Sequence, residues 1–121
     1  MMNDFLIEAA VIAHLMSELQ TEHVYAERPK NPPEEFYIVE RTASGETNHI
    51  QTATIAVQSY GGSMLRAAEM CADVRRVMPL IVQTTEDVSC CRLNSAYNYT
   101  DEETRQYRYQ AVFDLYYMEG E

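Results

Sequence analysis

Histidine, cysteine, serine and clustered carboxylates are the residues of this 121-residue chain that could do chemistry, and none is spaced for it. His14, His23 and His49 fall on three different predicted elements with no i,i+4 pair, so no helix face offers two imidazoles to a metal. Cys71, Cys90 and Cys91 are odd in number and have no metal-site spacing. Cys90 and Cys91 are neighbours on a predicted strand, where side chains leave on opposite faces, so bridging them would need distorted backbone. Reduced, partly buried thiols are the expectation. Ser59 and Ser63 have no neighbour in sequence that would activate them, although a triad can assemble in space. Glu34 and Glu35, and the run Asp101, Glu102, Glu103, lie in predicted loops, whereas a general acid and base need a sheltered cleft. Gly61-Gly62-Ser63-Met64 precedes a helix, whose first N–H groups could cradle an anion. No lysine follows, and the phosphate-loop and dinucleotide fingerprints are both missing. A turn followed by an N-cap is the expected use. No catalysis, cofactor or metal is expected.

Charge narrows the partners. There are 9 basic and 19 acidic residues, a net charge of −10. Phosphate backbones and anionic membrane surfaces repel such a chain. No apolar run approaches the roughly 20 residues of a membrane span. No basic region precedes the first apolar residues, so no signal peptide is expected and the default compartment is cytosolic. Residues 1–121 suit one domain.

Tyrosine is the unusual feature, nine residues beside three phenylalanines and no tryptophan. Tyr97, Tyr99, Tyr107 and Tyr109 gather at the tip of the last predicted hairpin, with Tyr116 and Tyr117 at its base. An apolar ring with a polar tip suits surfaces buried only on association, or else simply rims a core. With Arg108 and Tyr60, the four tip tyrosines are the candidate protein-interface residues.

The elements that must position them centre on residues 104–117, TRQYRYQAVFDLYY, whose odd positions are almost wholly apolar. That alternation predicts a half-buried strand on the order of 45 Å long. The turn before it, around Asp101, joins it to a strand over residues 88–99. Keeping the apolar faces together pairs Tyr97 with Tyr107 and Leu93 with Ala111. Residues 4–19 read as a helix capped by Asn3 or Asp4, with Phe5, Ala9, Ile12, Ala13, Met16 and Leu19 as its apolar stripe and Ile7 and Val11 off it. Residues 23–27 read as a short strand, and Pro29, Pro32 and Pro33 make a stiff connector. Strands over 35–42 and 49–58 form a hairpin whose turn spans residues 43–47, with Gly45 able to take positive φ. Ser63 caps a second helix, with Met64, Ala67, Ala68, Cys71, Val74 and Met78 buried and Pro79 as its stop. Arg66 with Glu69 and Asp73 with Arg76 are i,i+3 pairs on its wet side. The fold is α+β: a mainly antiparallel or mixed sheet of four to five strands with two main helices on one face. The second helix, on the order of 24 Å, is too short to cover the last strand. The hairpin tip then needs a partner.

This order of elements resembles the tail terminator (tail completion, head–tail joining) proteins of long-tailed bacteriophages. The resemblance rests on the N-terminal amphipathic helix, the hairpin FYIVERTASGETNHIQTATIAVQSY, the small-residue helix MLRAAEMCADVRRVM and the closing strand YRYQAVFDLYY, and covers most of the chain. It implies a structural virion protein of the tail or neck, assembled in the host cytoplasm. Such proteins form a ring, usually of six subunits, that caps the tail tube, ends its polymerisation and meets the head connector. The implied partners are further copies of the chain, the tail tube protein and the head-completion or connector protein, with DNA only passing through an acidic lumen and no membrane. A ring needs a heterologous interface, for which sheet edges and the Tyr hairpin are available. Two other readings stay open: a small-molecule-binding module or small enzyme on the same scaffold, and another neck or adaptor component. A deep pocket with convergent polar groups would mark the first.

Overall fold

The structure is a computed structural model that describes residues 6–118. In chain order it contains α1 (Ile7–Leu19), β1 (Val24–Tyr25), β2 (Phe36–Thr47), β3 (Ile50–Tyr60), α2 (Met64–Val77), a 3-10 turn (Met78–Leu80), α3 (Ile81–Thr84), β4 (Val88–Asn98) and β5 (Arg108–Tyr117). The strands form one sheet in the order β1-β2-β3-β5-β4, parallel only between β1 and β2. Both β3 and β4 are antiparallel to β5, so they run parallel to each other, and a connection between parallel strands needs a crossover such as α2. The helices pack on one face, and the fold is α+β.

Alternation in the two central strands sets that face. Ala53, Ile55 and Val57 of β3 and Ala111, Phe113 and Leu115 of β5 are at most 3% exposed. Against them pack Ala67, Met70, Cys71, Val74 and Val77 of α2 and Ile7, Val11 and Leu15 of α1. Ser63 caps α2 by accepting the Arg66 N–H at 3.1 Å, worth about 1 kcal/mol. Gly61 makes the change from strand to helix, because a Cβ there would lie 2.7 Å from the Ala67 nitrogen. Pro79 ends the α-helix in a 3-10 turn.

Several expectations give way. The last strand starts at Arg108, not at residue 104, because residues 102–105 form a turn closed by the Asp101–Gln106 bridge. The Asp101 carboxylate accepts the Glu103 and Thr104 N–H groups at 3.0 and 3.5 Å, the side-chain turn chemistry that stops the strand. Its length is therefore about 33 Å. In place of the expected register, Tyr97 pairs with Gln110 and Leu93 with Phe113, with irregularities between Val88 and Cys90 and between Leu93 and Ser95. The second, at Asn94, shifts the alternation: Leu93 lies on the helix side, and Ala96, not Tyr97, returns to the core.

On α1 the buried residues are Ile7, Val11, His14 and Leu15. Ile12, Met16 and Leu19 pack at the margin of the core, while Ala9 and Ala13 are exposed. This helix is apolar on most sides, so the choice of buried stripe falls to its neighbours. Asn3, Asp4 and Phe5 lie outside the described residues. On α2, Met64 is exposed and Ala68 half-buried, while Met70 and Val77 join the core. The first hairpin runs on through residues 43–47 and turns at Asn48 and His49, whose φ angles of 52° and 68° suit a two-residue turn between twisted strands. Gly45 lies within β2, and no described glycine has positive φ.

Candidate functional site

The sheet face opposite the helices carries a row of rings and guanidinium groups that crosses all five strands. Pairing places Phe36, Tyr60 and Arg108 side by side on β2, β3 and β5. The rings of Phe36 and Tyr60 stack with centroids 4.4 Å apart and planes 8° from parallel. Tyr25 of β1 meets Phe36 edge-on at 6.3 Å. The Arg108 guanidinium lies 5.8 Å from the Tyr60 centroid and 4.5 Å from that of Tyr99, just past β4. Tyr97 closes the row against Tyr99 at 6.0 Å and 88°. Arg28, from the proline-rich connector, sits 5.4 Å above Phe36 and 5.7 Å above Tyr60 and donates to Gln106 Oε1 at 2.9 Å. That one side chain ties the connector to the turn between β4 and β5.

A chain of hydrogen bonds runs beside the rings. Arg108 Nη1 donates to the Tyr60 hydroxyl at 3.1 Å, and that hydroxyl donates to Gln58 Oε1 at 2.9 Å. Gln58 Nε2 donates to Gln110 Oε1 at 2.9 Å, and Gln110 Nε2 donates to the Tyr97 hydroxyl at 2.5 Å. Both glutamines are buried, and these bonds offset the cost of desolvating their amides. The row contains no nucleophile, general base or carboxylate. Its chemistry is stacking and hydrogen bonding.

The candidate interface residues separate. Tyr60, Arg108, Tyr99 and Tyr97 come together in the row; Tyr97 and Tyr99 are 41% and 43% exposed, while Tyr60 is buried at 6%. Tyr109 faces the other way, half-buried against the core. Tyr107 lies half-buried before β5, its carbonyl accepting the Gly61 N–H at 3.1 Å. Sequence reasoning missed Phe36, Arg28, Gln58 and Gln110. Their signal was positional: in paired strands, alternate residues share a face, and Phe36, Gln58 and Gln110 alternate with apolar core positions.

The other chemically capable groups are held in structural roles. His14 is buried between helices, Nε2 donating to the Val77 carbonyl and Nδ1 sharing a hydrogen bond with the Thr84 hydroxyl, each at 2.8 Å. Arg66 donates to both Glu35 oxygens, at 2.7 and 3.2 Å, and these bonds hold that carboxyl below its ordinary range. The same arginine reaches Glu69 at 3.3 Å, and Arg76 reaches Asp73 at 3.3 Å. All three cysteines are free; burial, followed by the nearby Cys90 and Asp114, pushes the Cys91 thiol up to about 12. Burial also raises Cys71, and it raises Tyr37, next to Asp73, to about 12. Among the described residues no group of three or more His, Cys, Asp or Glu could hold a metal ion. Two clefts of about 400 and 360 Å³ flank the turn before β5, and neither is lined by a histidine, cysteine or serine.

Besides the exposed Tyr97 and Tyr99 of the last hairpin, the first hairpin is uncovered over its far part. Phe36, Tyr37, Ile38 and Val39 are buried, and the remaining eight residues of β2 are exposed. Beyond Tyr37 and Ile38, β1 offers β2 no further partners, so residues 39–47 have an open edge. At the far side of the sheet, β4 is likewise paired on one side only.

Comparison with protein-family models finds none that matches this chain, and comparison with curated proteins finds no significant match. Among the described residues no helix is long and apolar enough to cross a membrane.

Proposed function

We propose that the chain is an assembly subunit of the tail-terminator kind: a structural virion protein that closes into a ring at the end of a phage tail tube. The observation that carries this reading is the β2–β3 arm. Eight consecutive exposed residues in a twelve-residue strand make a poor monomer surface, because an open edge invites pairing with another chain. The exposed Tyr97 and Tyr99 at the other end of the sheet supply a second patch of the type that interfaces favour. Two different patches on one subunit suit a heterologous, ring-closing contact. An overall charge of −10 suits a lumen through which DNA slides without sticking. In this reading the tail tube protein and a head-completion or connector protein occupy the two ends of the ring. Phage particles assembled without the chain should have tails of uncontrolled length or tails detached from heads. Normal tails joined to heads in its absence would refute the role.

A further inference from the structure

We propose that copies of this chain join by strand addition, the open edge of β2 in one copy pairing with the open edge of β4 in the next. The contact rests on the assembly role above and specifies its surfaces. The two edges are the free ends of one sheet, and β2 and β4 run antiparallel to each other within it. A neighbour placed by rotation about an axis along the strands therefore offers β4 antiparallel to β2, and the ladder continues from copy to copy. Such a contact is heterologous, so it closes or propagates according to the rotation.

Shape and charge agree on this occupant. Beside the β2 edge, on the helix side, lies a groove of about 360 Å³ whose apolar wall is Leu6, Ala9, Ile12 and Val39 and whose charged lining is Glu8, Glu40 and Arg41. Beside the β4 edge, on the same side of the sheet, Leu93 is 44% exposed next to Ala72 of α2. Antiparallel pairing brings the partner copy's helix side against the groove, with Leu93 as the projecting apolar residue. The rims differ in net sign: Glu8, Glu40 and Glu46 outnumber Arg41 at the β2 edge, whereas Arg75, Arg76 and Arg92 outnumber Asp73, the partner of Arg76, beside the β4 edge. Glu8 is half-used: its Oε2 pairs with Arg41 at 3.2 Å, while its Oε1 is buried with no hydrogen-bond partner among the described residues.

The test is sedimentation of the full chain over a range of concentrations up to the highest that stays in solution, together with two sets of variants. Leu93→Asp, at a site 44% exposed, should lower the melting temperature of the monomer only modestly and, measured well below it, weaken association about tenfold or more. Arg75→Glu with Arg76→Glu should weaken it similarly, and Glu40→Arg with Glu46→Arg, mixed in as a second population, should restore it. Association that is indifferent to Leu93→Asp and to both reversals overturns the contact while leaving a ring built through another surface intact. A chain that stays monomeric at every concentration, with residues 40–47 exchanging their amide hydrogens as freely as an open edge, also overturns it. Association with the expected charge rescue into open filaments that never close upholds the contact and removes the ring.

Discussion

Arg108 binds Tyr99 twice: its guanidinium lies 4.5 Å from the ring centroid and its Nε donates to the Tyr99 carbonyl at 2.6 Å. A third bond, to the Tyr60 hydroxyl, makes this side chain the joint between β3, β5 and the end of β4. Arg108→Ala should cost about 1–2 kcal/mol in denaturant unfolding, from lost cation–π and hydrogen-bond contacts. Arg108→Lys should recover less than half, because an ammonium cannot hold that planar geometry.

The core is most sensitive at Phe113, fully buried between Ile55 and Leu93 in the sheet register. Phe113→Ala should destabilise the domain by roughly 3–5 kcal/mol. Tyr99→Ala, at a site 43% exposed, should cost about 1 kcal/mol or less. Equal losses in chemical denaturation would mean that the open face carries as much of the folding energy as the covered one.

Two glycines separate space from turn geometry. Gly61→Ala presses a methyl against the Ala67 backbone at 2.7 Å and should cost about 1–3 kcal/mol. Gly45→Ala meets only the Thr52 hydroxyl at 3.0 Å, inside a strand, and should change the melting temperature little. Side-by-side melting curves of the two variants check the pair.

The legible part of the fold is the part with a strict period. The run from Tyr109 to Tyr117 alternates so regularly that its inner face, Ala111, Phe113 and Leu115, follows from sequence, as does the capping of α2 by Ser63. Register across β4 did not, because the turn over residues 102–105 delays β5 and sets Leu93 against Phe113, and one extra residue at Asn94 then reverses the faces with no composition signal to mark it. The turn at Asn48-His49 hid behind Ser44-Gly45, which looks like turn chemistry and is strand. On α1, nearly continuous apolar character favoured Ile12 and Met16 as the buried stripe, whereas the sheet buries Ile7 and Val11, which the pattern had placed off it. The arginine–aromatic row depends on pairing among β2, β3 and β5, which no local pattern specifies.

Alkaline pH should loosen the fold in two stages. In the unfolded chain a cysteine thiol loses its proton near 9.0 and a tyrosine near 10.0, whereas Cys91 and Tyr37 in the folded chain hold theirs to about 12. Between those values the unfolded state releases protons first, so stability is full well below pH 9 and falls steadily as the pH rises towards 12. Cys91→Ala should reduce the decline from its start, Cys71 supplying the remainder there, and Tyr37→Phe should reduce only the part above about pH 10. Unfolding curves at stepped pH measure both.

The most direct measurement is hydrogen exchange of the β2–β3 arm in the dilute chain and in assembled tails. Residues 40–47 should exchange quickly on the open-edge side when the chain is free and slow by about a hundredfold or more once it is assembled. Exchange in residues 40–47 that is the same in both states would contradict an arm that exists to be buried by a partner.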